Sequence, residues 1–387
     1  MSIMVDPESR EQYVVEGGTH IPQYDPLGMW PYDCTINSFR ATLNEVGLNR
    51  TIEANKHYNE AWGRAAVGIV KERFGPQAND LESIAMTGFY VHNCTSMGHI
   101  RPLEIYEGGA ICELFACPNP GMKAPPEMCI AMSHIMANGF CHAINPEYEV
   151  IFTHHMGDGD DCCRWVVKKE GSKFTLDNLG RLEKTIPLEL PMEENMSFAG
   201  RMVIMSQLFT FTSALNDLVG PQRTLELVVP LATETGLRIG TMIKGGTKAK
   251  DDLSAIEGAI SLLVTPWGLQ QSNSSAIVSS SRIEKEISEC PCKGAPPEVC
   301  KQFEGVFNGV CEAINPEYEF AYDRMMSKGD STCHWVVRKK GEPAKEKPKE
   351  EAPLDDPVKR LTNKFIDGEI TEEEFRKKLA VLKELKV

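Results

Sequence analysis

Two stretches of this sequence repeat each other, and that repetition constrains the fold more than any other feature. The stretch 117–169 reads CPNPGMKAPPEMCIAMSHIMANGFCHAINPEYEVIFTHHMGDGDDCCRWVVKK, and 290–340 reads CPCKGAPPEVCKQFEGVFNGVCEAINPEYEFAYDRMMSKGDSTCHWVVRKK. They share APPE-x-C, NG-x-C, AINPEYE and GD-x-x-C-x-W-V-V. Identity on that scale reads as a duplicated unit. More faintly, NEVGLNRT at 44–51 faces NDLVGPQRT at 216–224, and Asp80-Leu81 faces Asp252-Leu253. The expected layout is therefore an N-terminal extension at 1–31, a first cysteine-rich repeat at 32–169, a connector at 170–202 and a second repeat at 203–340. A linker at 341–354 and a short helical hairpin at 355–387 follow.

Each copy opens with a helical half, at 36–46, 51–74 and 80–92 in the first. A strand pair follows, near 103–115 and 276–287. A helix opened by Pro-Pro then runs over 127–143 and 298–313, since early proline and acid suit a first turn, and Asn-Pro ends it. Strands at 148–153 and 163–168 close the copy. The expected fold class is α/β (α+β): two duplicated helix-plus-antiparallel-sheet domains and a helical hairpin.

Of 387 residues, 42% are hydrophobic and 25% charged, which is globular composition. A net charge of −14 argues against nucleic acid or an anionic membrane as partner. The opening MSIMVDPESREQ has no basic-then-apolar pattern, and no run of about 18 apolar residues occurs, so a cytoplasmic chain without a membrane span is expected.

In a reducing compartment the 13 cysteines are not expected to be structural disulfides; clustering points to metal or redox use. All but Cys34 and Cys94 fall in the two clusters. The candidate ligands are Cys117, Cys129, Cys141 and Cys163, and then Cys290, Cys300, Cys311 and Cys333, with Cys292 an alternate to Cys290. Four thiolates suit zinc or an iron–sulfur cluster, and added histidine favours zinc. One conflict is visible in the spacing. Cys129 and Cys141 lie about 18 Å apart along an unbroken helix, too far to share an ion. The short pair Cys117 and Cys129 can fold together through its Pro/Gly loop, and Cys141 and Cys163 would form another group with a neighbour from Thr-His-His. The competing reading keeps the thiols as buried packing residues.

His155, Gly159, Cys163 and Trp165, matched by Met325, Gly329, Cys333 and Trp335, resemble the closing segment of the vinyl reductase (small-molecule-binding) domain. That segment carries cysteine where His155 and Met325 stand. The whole layout, with Cys-Pro, a helix and GD-x-x-C-x-W-V, looks more like the L-2-amino-thiazoline-4-carboxylic acid hydrolase family. That resemblance implies opening of a small cyclic amidine by water. DDPVKRLTNKFIDGEITEEEFRKKLAVLKEL, at 355–385, resembles the SHOCT helical hairpin, too short to hold a core alone and so expected to dock on a partner or a second copy. The preceding GEPAKEKPKEEAPL should be extended.

Eight of nine histidines precede residue 156, which makes the first copy the better place for catalysis. Further polar residues there are His92, Cys94, His99, Arg101, Glu104 and His154. His155 with Asp160, or with Asp158 or Asp161, supplies the acid–base pair that hydrolysis needs; the competing reading makes THHMGDGDD a solvated hairpin loop. No phosphate loop, dinucleotide fingerprint or GxSxG elbow occurs in its required context. Three expectations follow: a metal-dependent hydrolase of a small cyclic substrate, a non-catalytic small-molecule-binding protein, or an iron–sulfur electron-transfer or accessory protein of an anaerobe.

Overall fold

The computed structural model describes residues 29–342, except 97–101, 116, 118, 120, 121, 187–193, 248–251, 265–275, 280 and 291. The N-terminal extension up to 28, most of the linker and the whole SHOCT-like hairpin lie outside the described residues.

The architecture is mixed α/β. Three helices come first: α1 Trp30–Val46, α2 Leu48–Phe74 and α3 Asp80–Ser96. Gly47 (φ 76°) and Gly75 (φ 75°) end the first two in the left-handed region. The hairpin β1 Leu103–Tyr106 and β2 Gly109–Leu114 follows. Helix α4 consists of Glu127–Cys129, a π-helical turn Ile130–His134, and Ile135–Ile144. Strands β3 Tyr148–His154, β4 Cys163–Lys169 and β5 Leu182–Ile186 complete an antiparallel sheet of order β3-β4-β2-β1-β5.

The same succession recurs. Helices α5 Glu194–Val219, α6 Pro221–Thr247 and α7 Leu253–Val264 precede β6 Ala276–Ser279 and β7 Arg282–Ile287. Then come α8 Pro297–Ile314, β8 Tyr318–Arg324 and β9 Cys333–Lys339, in a sheet of order β6-β7-β9-β8. Registers correspond: Leu114 sits opposite Cys163, and Ile287 opposite Cys333. Both outer strands bulge at the same place, between Phe152 and His154 and between Tyr322 and Arg324. No helix among the described residues is long and apolar enough to cross a membrane.

In each half one long helix crosses the cysteine-bearing helix at glycines. A β-carbon at Gly139 would stand 2.6 Å from the Glu60 carbonyl oxygen, and one at Gly63 would stand 2.9 Å from the Phe140 amide. Gly236 and Gly309 make the same crossing of α6 with α8, where an added carbon would run into the backbone of Val306 or Thr233.

The halves do not pack as separate beads; the described residues to Lys340 belong to one compact unit. Helix α1 lies in the core of the second half. Trp30 sets its ring edge-on to Phe303 (4.8 Å) and donates from Nε1 to the Leu263 carbonyl (3.0 Å). Ser38 donates to Gln302 Oε1 (3.1 Å), and Arg223 forks onto Glu45 at 3.0 Å. Helix α5 in return packs on α2 and α3 of the first half, with Gln207 against Met136 and Asp217 accepting from Tyr58 (2.7 Å). Helices α1 and α5 meet between the two halves through Phe39 and Phe211 (5.3 Å), and Ile204, Met205, Leu208 and Phe211 of α5 join the same buried cluster as Trp30 and Phe39 of α1.

Candidate metal centres

In the second half, the β7–α8 loop, the start of α8 and the first residue of β9 meet under the sheet. The loop turns tightly, with Lys293 N bonded to Cys290 O and Ala295 N to Cys292 O, both 3.0 Å. It places Cys290 and Cys292 beside Cys300, in the first turn of α8, and Cys333. Cys333 faces inward because β9 alternates about the buried Trp335 and Val337. These four cysteines converge on one cavity, close enough that each shifts the titration of its neighbours. With Val264, Ile287, Phe303, Phe307, Tyr322 and Trp335 these four line a cavity of about 20 Å³.

The effect is one-sided. Close contact with Cys292 and Cys333 pulls Cys290 far below the usual thiol range, and contact with Cys292 lowers Cys300. Cys292 and Cys333 are raised by those same contacts and by burial. The Met326 amide donates to Cys333 Sγ (3.2 Å), and the Ser327 hydroxyl lies 3.1 Å from Cys300 Sγ.

The first half builds a related but unequal site. Cys117, Cys129 and Cys163 line one cavity; close contact raises Cys117 and lowers Cys163, and Cys129 is pushed up to about 11 chiefly by burial. The Met156 amide donates to Cys163 Sγ (3.3 Å), as Met326 does to Cys333. Asn119 stands two residues after Cys117, where Cys292 stands after Cys290. Its Nδ2 donates to Cys129 Sγ (3.3 Å), and its Oδ1 accepts from Tyr32. The cavity, about 40 Å³, is lined by these residues with His92, Leu114, Met132, Ser133, Phe152 and His155.

Three histidines surround it. His92, deep in α3, donates from Nδ1 to the Gly88 carbonyl (2.8 Å), and burial pushes its pKa down to about 4. His134 stacks on Phe152 (4.2 Å) and is likewise lowered to about 4 by burial and then by His155. Its Nε2 lies 2.6 Å from His155 Nε2, so one ring holds the proton between them. His155 Nδ1 lies 3.4 Å from Asp158.

The structure divides the sequence candidates. Cys117, Cys129 and Cys163 come together, as do Cys290, Cys300 and Cys333, and Cys292 joins the latter as a full member. Cys141 and Cys311 do not line either cavity. They sit at the far ends of their helices, Cys141 Sγ donating to the Tyr148 carbonyl (3.1 Å), and burial pushes both to about 12. The helix continues between the paired cysteines in both copies, so the rise per residue separates them. Asp160 is bound into the turn: its carboxylate accepts from the His155 amide (2.7 Å), as Asp330 does from Met325. His155 and His92, both candidates from the sequence, face the cavity, whereas His134 is absent from the sequence reading. One signal could have found His134: Cys129 to Cys141 spans one residue more than Cys300 to Cys311, and a single inserted residue is what a π turn absorbs.

No known protein family, curated protein or solved structure significantly matches this chain. Every cysteine among the described residues is a free thiol. Among the described residues, no group of three or more His, Cys, Asp and Glu side chains stands arranged to hold a metal ion. Buried thiols bind an ion by releasing their protons, and the amide donors to Cys163 and Cys333 are the outer-shell partners that steady a thiolate.

Proposed function

We propose that this chain is a metal-binding protein built on a duplicated unit. In the second copy Cys290, Cys292, Cys300 and Cys333 are the residues that would hold a single metal ion. The observation that supports this reading is the convergence of four cysteines, drawn from a loop, a helix and a strand, on the lining of one small cavity. Packing alone gives no reason for four thiols to converge from three elements. A cavity of about 20 Å³ suits one water-sized occupant, which favours one zinc ion over the many atoms of an iron–sulfur cluster. Set in the core beside Trp335 and Phe303, this centre is structural: it ties the α8 start to the sheet.

The hydrolysis of a cyclic amidine, implied by the family resemblance, belongs to the first copy if it occurs. Only there do histidines face the cavity, and His155 is the residue placed to move a proton.

Anaerobic purification followed by elemental analysis tests the proposal. Zinc is expected in a colourless protein, with the second-copy ion lost in Cys300→Ser and in Cys333→Ser. A brown protein containing iron and sulfide overturns the single-ion reading, and a protein that binds no zinc on titration overturns the metal reading altogether. Turnover of a thiazoline acid, lost in His155→Ala with the fold intact, would support the hydrolase assignment, and unchanged turnover in that variant would remove it.

A further inference from the structure

We propose that the first-copy cavity is a second centre of a different kind. Cys117, Cys129 and Cys163 hold an ion there whose fourth position is open to a small outside donor, a thiolate or an azole- or amidine-type nitrogen. This rests on the metal reading above and adds what the second copy lacks, an exchangeable place.

The two sites correspond through their strand registers and differ in their donors. Cys117, Cys129 and Cys163 take the places of Cys290, Cys300 and Cys333. The fourth thiol, Cys292, is replaced by Asn119, which is buried to 3% exposure. Its amide cannot substitute as a ligand in this setting. The NH₂ end points at Cys129 Sγ and the oxygen is engaged by Tyr32, so Asn119 steadies a thiolate instead. Three donors remain where the other copy has four.

The room changes with the donors. The first cavity is about 40 Å³ against about 20 Å³, enough for an ion and one or two further heavy atoms. Its lining changes in the same direction. His92 stands where α7 has Val264, and His155 where the second turn has Met325. The inserted residue in α4, taken up as the π turn Ile130–His134, lays the His134 ring on Phe152 and within hydrogen-bond distance of His155. The corresponding α8 is regular throughout. Gly157 completes the contrast. Its second-copy counterpart is Ser327, whose hydroxyl touches Cys300, while a β-carbon at Gly157 would already crowd Cys129 Sγ at 3.3 Å. A closed tetrathiolate holds its ion away from solutes; three thiolates beside hydrogen-bonding rings leave a face at which a ligand can be bound and oriented.

Cobalt(II) substitution of the full chain, with azide as the probe donor, tests this by absorption spectroscopy. Two cobalt ions per chain are expected, both with thiolate-to-metal charge transfer, and azide should shift the ligand-field bands of only one of them. Asn119→Cys should add one thiolate's charge-transfer intensity and abolish the azide response. If that variant does not fold, Cys129→Ser serves: it should lose one cobalt and the azide response together while the second-copy spectrum persists. Two bound cobalt ions that both ignore azide would overturn the open site and leave the tetrathiolate reading standing. One bound cobalt, unaffected by Cys129→Ser, would likewise overturn it. Failure of cobalt to bind anywhere would overturn both proposals.

Discussion

Replacing glycine by alanine inside a helix normally stabilises it by about 1 kcal/mol, and Gly309 should do the opposite. It lies in α8 where that helix crosses α6. An added β-carbon would overlap the Thr233 carbonyl oxygen and stand 2.5 Å from Leu237 N and 2.8 Å from the Gly236 carbonyl carbon. All three are backbone atoms of one helix, so no side chain can swing aside. The helices must separate by about 1 Å or more, and such overpacking costs about 1–3 kcal/mol. Set against the propensity gain of about 1 kcal/mol, Gly309→Ala should lose up to about 2 kcal/mol. Gly258 supplies the control: it is also helical, in α7, but a β-carbon there meets nothing within 4 Å, so Gly258→Ala should gain about 0.5–1 kcal/mol. Urea unfolding of the metal-stripped protein, followed by circular dichroism, reads both. Gly309→Ala should move the midpoint down and Gly258→Ala should move it up. If both variants move the midpoint the same way, the close crossing does not control stability as described.

Burial holds His92 neutral in the fold to a pKa of about 4, against about 6.5 when unfolded. Between those values the unfolded chain binds the extra proton, so stability falls as pH drops from 6.5 toward 4, by about 3 kcal/mol for this group. In metal-free protein His92→Val, which copies Val264, should flatten that acid limb of the stability profile; an unchanged slope would refute the burial argument. Asp330→Ala removes the acceptor for the Met325 amide and should cost about 1–2 kcal/mol. Asp160→Ala should cost a similar amount through the matching turn, and a variant that loses turnover with no change in stability would restore Asp160 to catalysis. Cys311→Ala should leave zinc content unchanged, whereas Cys300→Ala should remove one ion; equal loss from both would contradict their placement at opposite ends of α8.

Much of this arrangement could be read from local pattern. The repeated GD-x-x-C-x-W-V-V stretch foretells the closing hairpin, with Gly159 (φ 100°) and Gly329 (φ 95°) in the left-handed turn and an inward cysteine starting each last strand. The 3.6-residue period likewise made plain that Cys129 and Cys141 could not share an ion on a continuous helix. What local pattern did not decide was which of the two stays in the site. That depends on the β2–α4 loop reaching the N-terminal end of the helix, a tertiary choice that turn chemistry alone does not fix. Cys292 was similarly undervalued, because only the folded loop shows that it and Cys290 both face the cavity. The placement of α1 was invisible for a related reason. Its apolar positions Trp30, Ile36 and Phe39 require a partner, but an apolar stripe does not say whether that partner lies in its own copy or the other.

The packing of α1 and α5 across the two halves has a consequence for how the chain comes to be made. During synthesis the first half emerges with a seat on α2 and α3 that nothing yet fills, and with Trp30 facing water. Only when α5 leaves the ribosome can either half close, so assembly waits on the later sequence. Cutting the gene at the connector should therefore yield two fragments that need each other.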